Sequence, residues 1–234
     1  MDAAAICSIY TAERDLASPD EKVRKNALTY IKSVVKMANE LGAEVIIVAP
    51  SAVMKTETTV PRKQELEWVV PAMQEAADFA KDMNVKLAIE PWNRYETYFL
   101  NRAEQALELC DMVDRPNVGL WLDTFHMNLE EQSIPDAIRL AGKNLFHLHM
   151  ADSNRAAPGR GHIDFPPILQ AVKDIGYSGY LSMEILPAAA DPFGVLKRGG
   201  GKEFYDQYTQ ESIEFLKSLL QGKGGRVWKS STVS

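Results

Sequence analysis

The sequence predicts an α/β protein built on a parallel sheet, and three observations carry that prediction. Short apolar segments alternate with helix-period segments along the whole chain. Each predicted strand is apolar on both alternations, as strands covered on both faces are. Each helical segment stops at Gly or Asn before a short turn into the next strand. Strand–helix alternation with right-handed crossovers allows two architectures, a doubly wound open sheet or a (β/α)8 barrel.

Taken in order, the first strand is predicted over Ala4–Tyr10. The following helix opens with Ser18-Pro19-Asp20-Glu21, which reads as a capping box with Ser18 at the N-cap. Val23, Ala27, Tyr30, Ile31, Val34, Val35, Ala38 and Leu41 then keep a 3.6-residue period until Gly42 stops the helix. A strand over Glu44–Ala49 leads to a helix over Arg62–Met83, in which Pro71 either makes a kink or marks the start. Strands over Lys86–Glu90, Val118–Asp123, Leu145–Met150 and Tyr180–Ile185 follow. Helices fit Arg102–Val113, Ile134–Ala141, Pro166–Ile175 and Glu203–Leu220. Six strands are legible where a closed barrel needs eight, so either two βα units are missing from the N-terminal side or the sheet is open. Residues 1–221 are expected to form a single domain. Residues 222–234 (GKGGRVWKSSTVS) are expected to form a flexible tail, with Trp228 as a group able to dock.

Composition narrows the function classes. At 234 residues, 46% apolar and 25% charged, the chain is ordinary for a globular protein and unlike a disordered or collagen-like one. No apolar run reaches the ~20 residues that span a bilayer, and the N-terminal segment lacks a basic stretch followed by an apolar one, so no membrane partner is expected. A net charge of −6 argues against nucleic acid, which wants clustered Lys and Arg. Cys7 and Cys110 are too few and too far apart for a disulfide framework, and a cytoplasmic location is expected. The partner these features favour is a small soluble molecule.

The residues that carry chemistry stand at strand ends. Glu90 in LAIE, Asp123 in LWLD, His149 in LFHLH and Glu184 in LSME each close a predicted strand. In parallel α/β folds these ends converge on the face that binds ligands. One acidic strand end is commonly a helix cap or an ion-pair partner, but four ligand-type residues on four successive strands point to a metal site. Three carboxylates and an imidazole suit Mn²⁺, Mg²⁺ or Co²⁺ with positions left open for substrate oxygens. His147 and His149 are read as facing opposite sides of their strand, so that only one enters the site, and spacing alone does not choose between them. A buried, hydrogen-bonded role is expected for His147. His126, in a predicted loop just past Asp123, is expected to touch substrate. His162, in PGRGHIDF, fits either loop packing or a rim contact. Glu90 and Glu184 come from strands far apart in order and can flank one carbon, taking a proton from one face and returning one to the other. A divalent ion on the neighbouring oxygens would stabilise the enediolate between those steps. That is chemistry for a sugar with a carbonyl beside a hydroxyl.

The segments IEPWNRYETYFLN, LDTFHMNLEE, FHLHMADSNRAAPGRGHIDF and SMEI, in this order and spacing, resemble the ketose 3-epimerases of the xylose isomerase-like TIM-barrel superfamily. The resemblance runs from Ile6 to about Leu220. It implies an incomplete TIM (β/α)8-type barrel and a metal bound by Glu90, Asp123, His149 and Glu184, choosing His149 over His147. It implies Glu90 and Glu184 as the acid/base pair, Glu96 at the terminal hydroxyl end of the substrate, and His126 and Arg155 on the oxygens around the reacting carbons. It also implies Mn²⁺ or Co²⁺ as the ion and a homo-oligomer, a dimer or tetramer. Trp92 and Tyr95 would shape the pocket wall. The family's first two βα units have no counterpart here, which leaves a non-catalytic metal- or sugar-binding remnant as a competing reading. Inosose dehydratase and hydroxypyruvate isomerase chemistry are further alternatives on the same scaffold. A Rossmann dehydrogenase is not supported, because no G-x-G-x-x-G follows the first strand.

Overall fold

A computed structural model describes residues 3–189 and 191–221; the predicted tail and Trp228 lie outside them. Five parallel strands, β1 (Val45–Val48), β2 (Lys86–Ile89), β3 (Val118–Asp123), β4 (Leu145–Met150) and β5 (Leu181–Met183), pair in chain order. Neighbouring strands are joined by helices: α2 (Arg62–Lys81), α3 (Ala103–Val113), α4 (Thr124–Glu130) with α5 (Ile134–Ala141), and α6 (Phe165–Asp174). Helix α1 (Glu21–Leu41) precedes β1, and α7 (Pro192–Lys197) and α8 (Lys202–Leu220) follow β5. Sequential parallel pairing through crossover helices is the barrel order, and the five strands among the described residues form an incomplete barrel.

Strands β1 to β4 are almost wholly buried, which is why their sequences lack a polar alternation. The core joins their apolar side chains to Ile31 and Val35 of α1, Val69 and Met73 of α2, Ala106 of α3 and Ile138 of α5. Gly42 ends α1 at φ +73°, a conformation that favours glycine.

Several expectations are corrected. The segment Ala4–Tyr10 is not a strand; it contributes one parallel bridge, Ile6 to Ile46. The Ile47 carbonyl accepts from Ser8 Oγ at 2.8 Å and from Tyr10 Oη at 3.2 Å, so side chains take an acceptor that a longer ladder would use. Helix α1 is capped by Asp20, whose side chain accepts from Lys22 N, while Ser18 Oγ accepts from Asp20 N in a turn just outside the helix. Pro71 lies inside α2 on an exposed position, where water can serve the carbonyl one turn earlier. His126 belongs to the short helix α4 rather than to a loop, because Asp123 caps it by accepting from Phe125 N at 2.7 Å. Helix α7 was not expected from the sequence.

Candidate metal centre and active site

Asp123 and His149 are paired across β3 and β4, while Glu90 and Glu184 immediately follow β2 and β5. Thr124 Oγ1 donates to Ala151 O at 2.7 Å and accepts from Ala151 N at 2.9 Å, tying the ends of β3 and β4 together. One ligand atom from each of Glu90, Asp123, His149 and Glu184 lies within 4.8 Å of the other three. A single cation with oxygen bonds of roughly 2.0–2.6 Å spans that separation.

The surroundings fit a divalent cation. Glu90 Oε1 is buried without a hydrogen-bond partner, and His149 Nδ1 stands 3.8 Å from it and 2.6 Å from Glu184 Oε2. Arg155 reaches Asp123 Oδ2 at 2.5 Å and Glu184 Oε1 at 2.8 Å. With all three carboxylates ionised, as ligands to a cation are, the one guanidinium leaves a formal charge of −2, which one divalent ion balances. Burial, then the charges of Glu184 and Asp123, push the Glu90 carboxyl well above the usual carboxylate range. Burial also acts against ionised Glu184, but the His149 contact and the Arg155 charge outweigh it and hold that carboxyl below the usual range.

Arg155 sits at φ +63°, uncommon for a residue with a side chain, and the loop around it is built on Asp152. Buried Asp152 accepts from Ser153 N at 2.7 Å, Gly159 N at 2.8 Å and Ile163 N at 3.1 Å. A Cβ at Gly161 would stand 2.2 Å from Asp152 Oδ1, so that close approach requires glycine.

His147 and His149 share one face of β4, contrary to the expectation, because residues two apart on a strand point the same way. Their rings are 5.5 Å apart and both pack on Trp121. What separates them is depth: His149 reaches the carboxylates, whereas His147 Nε2 lies 2.5 Å from Ser182 Oγ. Burial lowers the His147 pKa to about 3, so it is a neutral, buried and hydrogen-bonded histidine. His162 is exposed and bonds Ser153 within its own loop.

No hydrogen bond joins Glu96 or His126 to the four-residue cluster among the described residues; both bond to Asn93, at 2.8 Å each. Burial lowers the His126 pKa to about 4. Asn93 was missed from the sequence, although an Asn whose side chain accepts from the backbone two residues on is a recognisable turn former. Trp92 Nε1 donates to Glu90 Oε2 at 2.5 Å, so it holds a candidate ligand besides lining a wall, while Tyr95 is exposed.

A family model described as a xylose isomerase-like TIM barrel matches residues 2–219. The chain is 34% identical over 220 residues to the D-psicose 3-epimerase of Ruminiclostridium cellulolyticum, covering 90% of this chain and 75% of that one. It is 35% identical over 218 residues to the D-psicose 3-epimerase of Agrobacterium fabrum, covering 89% and 75% respectively. A crystal structure of D-psicose 3-epimerase with D-tagatose from Clostridium cellulolyticum H10 matches with a TM-score of 0.82 at 34% identity, over 92% of this chain and 78% of that one. The strand order, the four converging strand ends and these likenesses agree: the chain belongs to the xylose isomerase-like TIM barrel family and, within it, to the ketose 3-epimerases.

Proposed function

We propose that this chain epimerises a ketose at C3, with Glu90 and Glu184 exchanging the C3 proton on opposite faces of the carbon. The observation that carries this reading is the meeting of both glutamates, from β2 and β5, in one four-residue cluster. In the metal-free site Glu90 holds a proton more readily than Glu184, which stays ionised. A divalent cation held by Glu90, Asp123, His149 and Glu184 would supply charge stabilisation for the negative charge that builds on the substrate oxygens. Mn²⁺ is the ion proposed, with Co²⁺ or Mg²⁺ as substitutes. Arg155 is proposed to hold a substrate oxygen near the reacting carbon. Neutral His126 is proposed to donate to another, and Glu96 to accept from a hydroxyl toward the chain end.

One domain over residues 1–221, a homo-oligomeric assembly (dimer or tetramer) and a cytoplasmic location complete the proposal. Among the described residues no helix is long and apolar enough to cross a membrane. The test is proton exchange followed by NMR: the protein, Mn²⁺ and a panel of ketoses in D₂O. Deuterium at C3 with build-up of the epimer, both lost in EDTA, is the expected result. Exchange at another carbon, or none in a metal-loaded sample, would overturn it.

A further inference from the structure

The two residues assigned above to the substrate's oxygens, Glu96 and His126, lie in different elements, yet a single buried carboxamide holds both. Asn93 Nδ2 donates one proton to Glu96 Oε1 and the other to His126 Nδ1, each at 2.8 Å, while Asn93 Oδ1 accepts from Tyr95 N at 3.0 Å. Rotating the amide by half a turn would set its oxygen against the Glu96 carboxylate and its NH₂ against the Tyr95 N–H, so the network admits one orientation. The backbone N–H of Asn93 also donates to His126 Nδ1, at 3.2 Å. A backbone N–H can only donate. His126 Nδ1 is therefore an acceptor, and the neutral ring carries its proton on Nε2.

A second pair fastens this loop to the helix that carries His126. Arg94 N and Nε donate to Glu130 Oε1 at 2.7 and 3.0 Å, and Arg94 Nη2 donates to Glu130 Oε2 at 2.9 Å. The Glu130 side chain is only 4% exposed, so its charge needs this partner. His126 and Glu130 are one turn apart on α4, whose N-cap is Asp123. Loop 93–96 thus meets α4 at two successive turns.

We propose that Asn93 is a positioning residue for catalysis. Its carboxamide fixes the distance between an acceptor, Glu96, and a donor, His126 Nε2–H, and the Arg94–Glu130 pair holds that arrangement on α4. A matched acceptor and donor at fixed separation select a substrate segment that offers a hydroxyl proton at one oxygen and a lone pair at the other. This inference rests on the assignment of Glu96 and His126 to substrate.

The deciding variant is Asn93→Asp, which has the same shape and keeps the acceptor for Tyr95 N but removes both N–H donors. Expected are a KM for the ketose raised by about tenfold or more, as loss of two hydrogen bonds near charge implies, and an unchanged Mn²⁺ affinity by calorimetry. Glu130→Gln should shift KM in the same direction by less. A readout without turnover is the side-chain ¹⁵N spectrum of His126 in the Mg²⁺-loaded protein. The wild type should show protonated Nε2 and bare Nδ1, and Asn93→Asp should lose that single form. Asn93→Ala serves if Asn93→Asp does not fold. An unchanged KM with an unchanged ¹⁵N pattern overturns the proposal, as does a fall in metal affinity that matches the rise in KM. If the wild type converts no ketose, the epimerase reading fails by itself, and the ¹⁵N comparison still decides the role of Asn93.

Discussion

The two glutamates of the site follow strands separated by two others in the sheet, and their surroundings differ. Glu90, after the buried strand β2, has a side chain 3% exposed, bonded to the Trp92 indole and crowded by two carboxylates. Glu184, after the partly exposed strand β5, has a side chain 30% exposed and is held by Arg155 and His149. One residue type therefore faces the same space in two protonation tendencies, raised at Glu90 and lowered at Glu184. The lesson is that the protonation tendency of a carboxyl is set by its surroundings and not by its residue type.

The strongest way to break this comparison is to remove one carboxylate at a time. Glu90→Gln and Glu184→Gln should each reduce kcat by about 10² to 10⁴-fold, the usual loss for a proton-transfer group. The two should not be equivalent: starting from one pure epimer, the carboxylate left in each variant should exchange the C3 proton of that epimer in only one of the two proteins. Deuterium exchange measured from both epimers checks this, and equal residual exchange from both in each variant would contradict opposite-face roles.

The next largest effect concerns the charge balance both glutamates share. Asp123→Asn removes one of three carboxylates and should weaken Mn²⁺ binding by about 10 to 100-fold in calorimetry, with the fold retained.

A smaller effect is pH-dependent stability. His126 has its pKa lowered from 6.5 to about 4 by burial, so between those values the unfolded chain binds a proton that the folded chain refuses. Stability should fall as pH drops through that window, by on the order of 3 kcal/mol in full. Urea unfolding of wild type and His126→Asn across pH 4 to 7 checks the sign, with the variant showing the flatter profile. His147, lowered to about 3 by burial, adds to the slope in both proteins and continues below pH 4.

Trp92→Phe sharpens the comparison least. It removes the donor to Glu90 Oε2, a bond that favours ionised Glu90, so the Glu90 pKa should rise further in the metal-free protein. Carboxyl ¹³C titration reads the shift, and Glu184 should not move.

Much of the scaffold was legible in the residues. Strands β3 and β4 and helix α5 lie where periodicity and chain punctuation put them, because each is long or sharply bounded. The convergence of the four strand-end residues was equally legible, since a parallel fold leaves only one face on which such ends meet. The Ala4–Tyr10 segment was misread because its apolar content is that of a strand while Ser8 and Tyr10 spend their hydroxyls on a β1 carbonyl. Helix α4 was misread because its start depends on Asp123, a residue that also belongs to β3 and to the candidate metal set.

By itself, then, the sequence determined the parallel α/β class, the succession of strands and helices along the chain and the four donor-type residues at strand ends. Periodicity and strand length are local properties, and a strand end is a place along the chain. Tertiary structure alone decided how those donors behave. The raised and lowered carboxyls, the single proton position on His126 and the joining of Glu96 to His126 through Asn93 each depend on at least one group remote in sequence. Burial and charge act through space, and no spacing along the chain records which neighbours folding brings within a few ångströms.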